Sequence, residues 1–204
     1  MEIIGNRIKL KPIKLEDVYQ MRNWGTHKNP LLFDYNLPPW TDWELEEWYK
    51  YKTGSIRSKY YSVFNEEDKL IGYIGIKNIR RFFKQATLGI VIDPNYVNMG
   101  YGTEIIQTYL YYFFNEMNMK TMYLEVAKFN KRAMKCYEKC GFSVVTMYSD
   151  EFFDQNLNLE DPYYLDEKSS FVIKNGKIYN YIYKMKIDRK TYLKEREGNI
   201  EVNQ

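Results

Sequence analysis

The chain has 204 residues, 45% hydrophobic and 28% charged, with a formal net charge of +3. That size and apolar content suit one buried core and one domain, expected over residues 1–197 with a frayed tail at 198–204. The mild charge, with no dense Lys/Arg cluster, argues against a nucleic-acid partner. Cys136 and Cys140 stand one helical turn apart and His27 is the single histidine, so structural zinc lacks soft ligands and no metal is expected. A disulfide bridging one helical turn strains the backbone. The opening residues are too polar for a secretory signal, and no run approaches the ~18 apolar residues of a membrane span. The expectation is a cytoplasmic protein without a membrane partner.

Ile3 to Pro12 reads as a first strand, with Arg7, Lys9 and Lys11 on one face and Ile8 and Leu10 on the other. Leu15 to Trp24 has helical spacing and ends at Gly25. Thr41 and Glu44 have the spacing of a capping box, opening a second helix that Gly54 stops. Tyr60–Asn65 and Lys69–Ile79 are β-rich and read as a hairpin. A turn over Arg81–Lys84 leads into Gln85–Ile92, whose nearly continuous apolar core predicts a strand covered on both faces.

Val97-Asn98-Met99-Gly100-Tyr101-Gly102-Thr103 follows, opening a helix predicted from Thr103 to about Met117. A Gly-x-Gly turn at a helix start reads either as a tight connection or as a phosphate cradle. The unpaired N–H groups and the helix dipole favour an anion there, and glycine lets the backbone approach it. Thr121–Val126 is a strand and Lys131–Lys139 a helix closed by Gly141. The order strand, helix, strand, helix implies a βαβα unit in a mixed sheet. Ser143–Met147 is a short strand, Tyr148–Lys174 reads as irregular, and Ile178–Ile187 is a last strand.

The run from Val126 to Phe142, with Asn130, Ala133, Tyr137, Glu138, Lys139, Gly141 and Phe142 at their spacings, resembles the acetyl-CoA-binding helix of the GNAT superfamily of N-acetyltransferases. The Gly-x-Gly turn, helix and strand precede it in that family's order, and the chain ends resemble the branch that acetylates ribosomal-protein N-termini and related amines. The resemblance implies an α/β (α+β) fold: a central, mixed, mostly antiparallel sheet of about seven strands with flanking helices. Its fourth and fifth strands, here Gln85–Ile92 and Thr121–Val126, splay apart for the pantetheine arm of acetyl-CoA. It further implies that Ile90, Val91 and Ile92 pair with the pantetheine amides, and that Asn98, Met99, Gly100, Tyr101, Gly102 and Thr103 hold the pyrophosphate. Asn130 and Ala133 complete the cofactor set. The family usually has Arg or Gln, then Gly, then a basic residue before the first turn glycine; this chain has Val97, Asn98 and Met99.

Acetyl transfer from a thioester to an amine needs a neutral nucleophile and a proton for the leaving thiolate. Tyr137, where the motif carries the residue nearest the thiol, is the acid; an aromatic core residue is the plain alternative. Glu125, on a strand face opposite Met122, Leu124 and Val126, is the base, directly or through a water chain; a solvated glutamate is the plain alternative. Asp93 is a weaker candidate. The acidic stretch Asp150–Glu167 suits a cationic acceptor such as a polyamine, a peptide N-terminus or a lysine, or is simply a solvated loop. Trp40, Trp43, Trp48 and Tyr35 serve either as an acceptor wall or as core. The expected partners are acetyl-CoA and an amine, in a monomer or homodimer. A nucleotide-binding enzyme fits poorly, since the turn lacks both the Lys-Ser/Thr of a P-loop and the third glycine of a dinucleotide fingerprint; a non-catalytic acyl-CoA sensor remains the alternative.

Overall fold

Residues 1–194 are described by the computed structural model, so the expected tail at 198–204 lies outside them. Their contacts divide into two compact units, one of Met1–Tyr123 with the chain from Ile187 onward, the other of Leu124–Lys186.

In the first unit, the strand expected over Ile3–Pro12 is two: β1 (Ile3–Ile4) and β2 (Ile8–Pro12), antiparallel with Ile3 opposite Leu10. The chain reverses because the Gly5 N–H donates to the Ile8 carbonyl at 2.8 Å. α1 (Leu15–Gln20) passes into a 3₁₀ turn at Met21–Asn23. α2 (Asp42–Thr53) starts at the predicted box: the Thr41 hydroxyl accepts from the Glu44 N–H at 3.3 Å and the Glu44 carboxylate accepts from the Thr41 N–H at 2.8 Å. Val18, Met21 and Leu45 from these helices bury against Ile13 and Leu70. Trp40 and Trp48 pack onto that cluster, as the core reading expects, whereas Trp43 is 67% exposed.

β3 (Lys59–Asn65), β4 (Leu70–Arg80) and β5 (Gln85–Ile92) form an antiparallel meander. α3 (Tyr101–Tyr111) buries Ile105, Ile106, Tyr109 and Leu110 and ends in a π-helical turn at Tyr112–Glu116. That spacing of three and four residues places one apolar stripe on the sheet. β6 (Thr121–Ala127) pairs parallel with β5.

In the second unit, α4 spans Lys131–Lys139 as predicted. β7 runs from Ser143 to Glu151, four residues past its expected end, because it stays paired with β9 (Lys177–Asp188) as far as Glu151 opposite Tyr179. The segment expected to be irregular also contains a 3₁₀ stretch at Pro162–Ser170 and β8 (Phe171–Lys174), which pairs with β9. Asn175 (φ 52°) and Gly176 (φ 76°) make the two-residue turn between β8 and β9. Both are left-handed, the requirement of a tight hairpin with the twist of its strands. Phe129, Phe152 and Phe171 form the aromatic centre of this unit, with Phe129 stacked on Phe171 at 5.6 Å. The described residues thus contain nine strands, not about seven.

Candidate functional site

β5 and β6 share a short parallel register. The parallel pairing covers only Gln85–Thr87 opposite Thr121–Tyr123, while β5 runs on to Ile92 paired with β4. A strand covered on both faces was expected here; instead only Ala86 and Leu88 of β5 are buried, and Gly89, Ile90, Val91 and Ile92 are half-buried. A side-chain carbon added at Gly89 would meet nothing within 4 Å. Apolar sequence is therefore retained along a backbone segment with open space beside it. Such a strand suits an extended ligand that pairs with main-chain amides while covering aliphatic side chains.

β5 leads through Asp93 into the turn. The Asp93 carboxylate is buried and accepts from the backbone N–H groups of Gly25 and Asn95, both at 2.9 Å. It holds the loop after β5. In the turn itself Asn98 (φ 65°) and Gly100 (φ 84°) are both left-handed. Asparagine is the non-glycine residue that best tolerates this conformation, so Asn98 does the work of the glycine ordinarily found there. Gly100 is the N-cap of α3 and brings no side chain to its amides; the first intrahelical bond is from the Glu104 N–H to the Gly100 carbonyl at 3.3 Å. The amides of Tyr101 and Gly102 precede that bond at the positive end of the helix. The Tyr101 ring is buried and its hydroxyl donates to Glu66 at 3.0 Å, so only its main chain faces the turn's task.

One cation that sequence reasoning left on a strand face reaches this turn. The Arg7 backbone N–H and Nε both donate to the Glu104 carboxylate, Nε at 2.9 Å, and Nη1 donates to the Met99 carbonyl at 3.3 Å. Its guanidinium carbon lies 4.6 Å from the centre of the Tyr101 ring. A Gly100 side-chain carbon would lie 3.4 Å from Nη2. No local signal announces this, because the contacts depend on the β1–β2 turn folding onto the start of α3.

In the second unit, β6 ends with Leu124 and Val126 buried and Glu125 exposed, as the alternation predicts. Tyr148 of β7 lies near Glu125; partial burial and then this carboxylate push the Tyr148 phenol above its ordinary value. The Asn130 side chain caps α4, accepting from the Ala133 N–H at 3.2 Å. α4 has no fully buried residue, so Tyr137 is half-buried, with its ring edge-on to Phe142 at 6.1 Å. The ring therefore packs on the core residue Phe142 without being fully buried itself. Arg132 lies close enough to interact electrostatically with Tyr137 and Cys136, its own pKa lowered by burial. The Cys140 thiol is raised by its hydrogen bond with Cys136 and by burial, which leaves it protonated and unreactive.

The acidic stretch is less free than its composition suggests. Glu151 pairs with Lys177 at 2.9 Å, Glu160 with Lys168 at 2.7 Å, and Glu167 with Lys131 of α4 at 2.6 Å. Asp154 and Asp161 accept from backbone N–H groups of their own turns. Among the described residues no group of three or more His, Cys, Asp or Glu could hold a metal ion, and no helix is long and apolar enough to cross a membrane.

Residues 7–143 match the acetyltransferase (GNAT) domain family, and the chain belongs to it: it is an acyltransferase of the class that uses acetyl-CoA. Among curated relatives, it is 26% identical over 150 residues to a spermidine N(1)-acetyltransferase of Vibrio cholerae, covering 74% of this chain and 87% of that protein. It is also 26% identical over 149 residues to the spermidine N(1)-acetyltransferase of Escherichia coli strain K12, covering 73% and 80% respectively. Of solved structures, the Vibrio cholerae spermidine N-acetyltransferase in complex with CoA and spermine superposes with a TM-score of 0.68 at 23% identity, covering 92% of this chain and 98% of that one. That likeness fixes the fold, a mixed sheet with flanking helices.

Proposed function

We propose that the protein transfers the acetyl group of acetyl-CoA to a primary amine carried on a cationic acceptor, with a polyamine as the favoured class. The observation that carries the cofactor reading is β5: it outruns its parallel ladder with β6 by five residues and then enters a side-chain-free helix start. The main chain of Ile90, Val91 and Ile92 would pair with the pantetheine amides. Asn98 to Thr103 would hold the pyrophosphate, and Asn130 and Ala133 would belong to the same cofactor set. The match over residues 7–143 runs through both compact units, which supports treating residues 1–197 as one catalytic domain.

In the reaction the neutral amine attacks the thioester carbonyl directly, the carbon–nitrogen bond forms and the carbon–sulfur bond breaks. Tyr137 donates its proton to the departing thiolate: a phenol of pKa about 10 is matched to a thiol near 8.5. Glu125, directly or through water, takes the proton that the ammonium must lose before it can attack, and the second proton, shed by the nitrogen as the amide forms, returns through water to the Tyr137 phenolate. The exposed position of Glu125 on β6, where an acceptor or water can reach the carboxylate, supports this role. The polyamine preference is supported by the activity named for the curated relatives. Because three carboxylates of the acidic stretch pair with the chain's own lysines, its attraction for an acceptor rests on the remainder, Asp166 included.

The test is thiol release from acetyl-CoA with a panel of amines. Spermidine and spermine are expected to be acetylated faster than neutral or anionic amines of equal size. Turnover restricted to neutral or anionic amines would reject the acceptor class, and no turnover with any amine despite acetyl-CoA binding would favour the non-catalytic sensor.

A further inference from the structure

The turn before α3 lacks the basic residues that its family usually places there, yet a carboxylate, Glu104, sits in the first helical turn with only 17% of its side chain exposed. Such a carboxylate complements the helix dipole, but it also repels a phosphate brought to the same amides. Arg7 answers both problems in the geometry given above. It engages Glu104 through two donors, holds the Met99 carbonyl with a third, and lays its guanidinium over Tyr101 and against the bare face of Gly100. A guanidinium is always charged and can bind several acceptors at fixed angles, which an ammonium cannot do.

We propose that Arg7 is the positioning cation of the phosphate cradle: it neutralises Glu104 and fixes the Met99-Gly100-Tyr101 backbone, so that the phosphates of acetyl-CoA meet positive rather than negative potential. This rests on the acetyl-CoA reading above and goes beyond it by assigning the missing charge to a residue outside the motif. The departure at Val97-Asn98-Met99 is then a relocation: the left-handed glycine is replaced by Asn98, and the cation comes from the β1–β2 turn.

The experiment compares acetyl-CoA with acetyl-pantetheine, which keeps the thioester and lacks the pyrophosphate. For Arg7→Gln the KM for acetyl-CoA is expected to rise about tenfold, kcat to change less than KM, and the KM for acetyl-pantetheine to stay within twofold. Glu104→Gln, which removes the negative charge while keeping the shape, is expected to lower the KM for acetyl-CoA. Arg7→Gln with Glu104→Gln is expected to recover most of the loss. A purely structural role predicts instead that Glu104→Gln weakens acetyl-CoA, that the double variant is no better than Arg7→Gln, and that both donors suffer alike; any of these overturns the proposal. Melting temperatures of the same proteins identify a variant that fails to fold, and Glu104→Gln then carries the test. A wild-type protein that neither binds nor uses acetyl-CoA rejects the cofactor reading itself. A wild-type preference for acetyl-CoA that Arg7→Gln leaves intact rejects only the role of Arg7.

Discussion

α3 and α4 both follow a strand and both carry a family motif, but they are held in opposite ways. α3 buries five residues, and its first turn has a glycine cap that satisfies no amide. α4 buries none fully, and its first turn is closed by the Asn130 side chain. A helix anchored by a buried stripe can leave its N-terminal amides to a ligand, because its position does not depend on a cap. A helix lying half-exposed needs the cap, and in return it presents side chains such as Tyr137 instead of core contacts. The proposed function divides the work along the same line, α3 holding charge through its backbone and α4 doing chemistry through a side chain.

The largest effect that tests this contrast is on stability. Ile105→Ala, at a fully buried position of α3, is expected to cost about 2–5 kcal/mol in urea unfolding. Met134→Ala on half-buried α4 is expected to cost about 1 kcal/mol. Equal losses would dissolve the distinction. Next comes Gly100→Ala, which forces a side chain into a left-handed position at φ 84°. It is expected to cost about 1–2 kcal/mol and to raise the KM for acetyl-CoA, measured by calorimetry beside steady-state rates.

The smallest effect is in α2, which is side-chain capped as α4 is. Hydrogen bonds from the Thr41 backbone N–H and then its hydroxyl hold the Glu44 carboxyl below its usual range. A depressed carboxyl stabilises the fold above its unfolded pKa, about 4.3, and the contribution is lost as pH falls through the folded value. Glu44→Gln should therefore shift the urea midpoint slightly downward at pH 7, with the difference from wild type closing below about pH 4. A difference that persists in acid would mean the box acts through shape and not charge.

Much of this was legible from local signals. The bounds of α4 and β5, the capping box at Thr41 and the cap at Asn130 all follow from residues within four positions of one another, which is the range over which helix and turn chemistry acts. Even the β8–β9 hairpin carried its signal, Asn175-Gly176 between Phe171–Lys174 and Lys177 onward, and reading the whole stretch as irregular passed over it. Other features had no local sign. β7 extends to Glu151 because β9 supplies a partner, and Ser143–Glu151 shows no alternation of its own, being exposed along nearly its whole length. The half-buried end of β5 reads as core in sequence, since half-buried apolar residues are chemically the same as apolar residues lining a core. Arg7 is the clearest case: its neighbours in sequence define a strand face, and its partners Met99, Tyr101 and Glu104 are brought to it only by the fold.

The division of labour between α3 and α4 is tested most directly by steady-state kinetics of Tyr137→Phe with acetyl-CoA and spermidine. Loss of a proton donor to the thiolate is expected to lower kcat about a hundredfold or more while leaving the KM for acetyl-CoA within about threefold. Unchanged kcat, or a loss confined to acetyl-CoA binding, would remove Tyr137 from the chemistry and contradict the account.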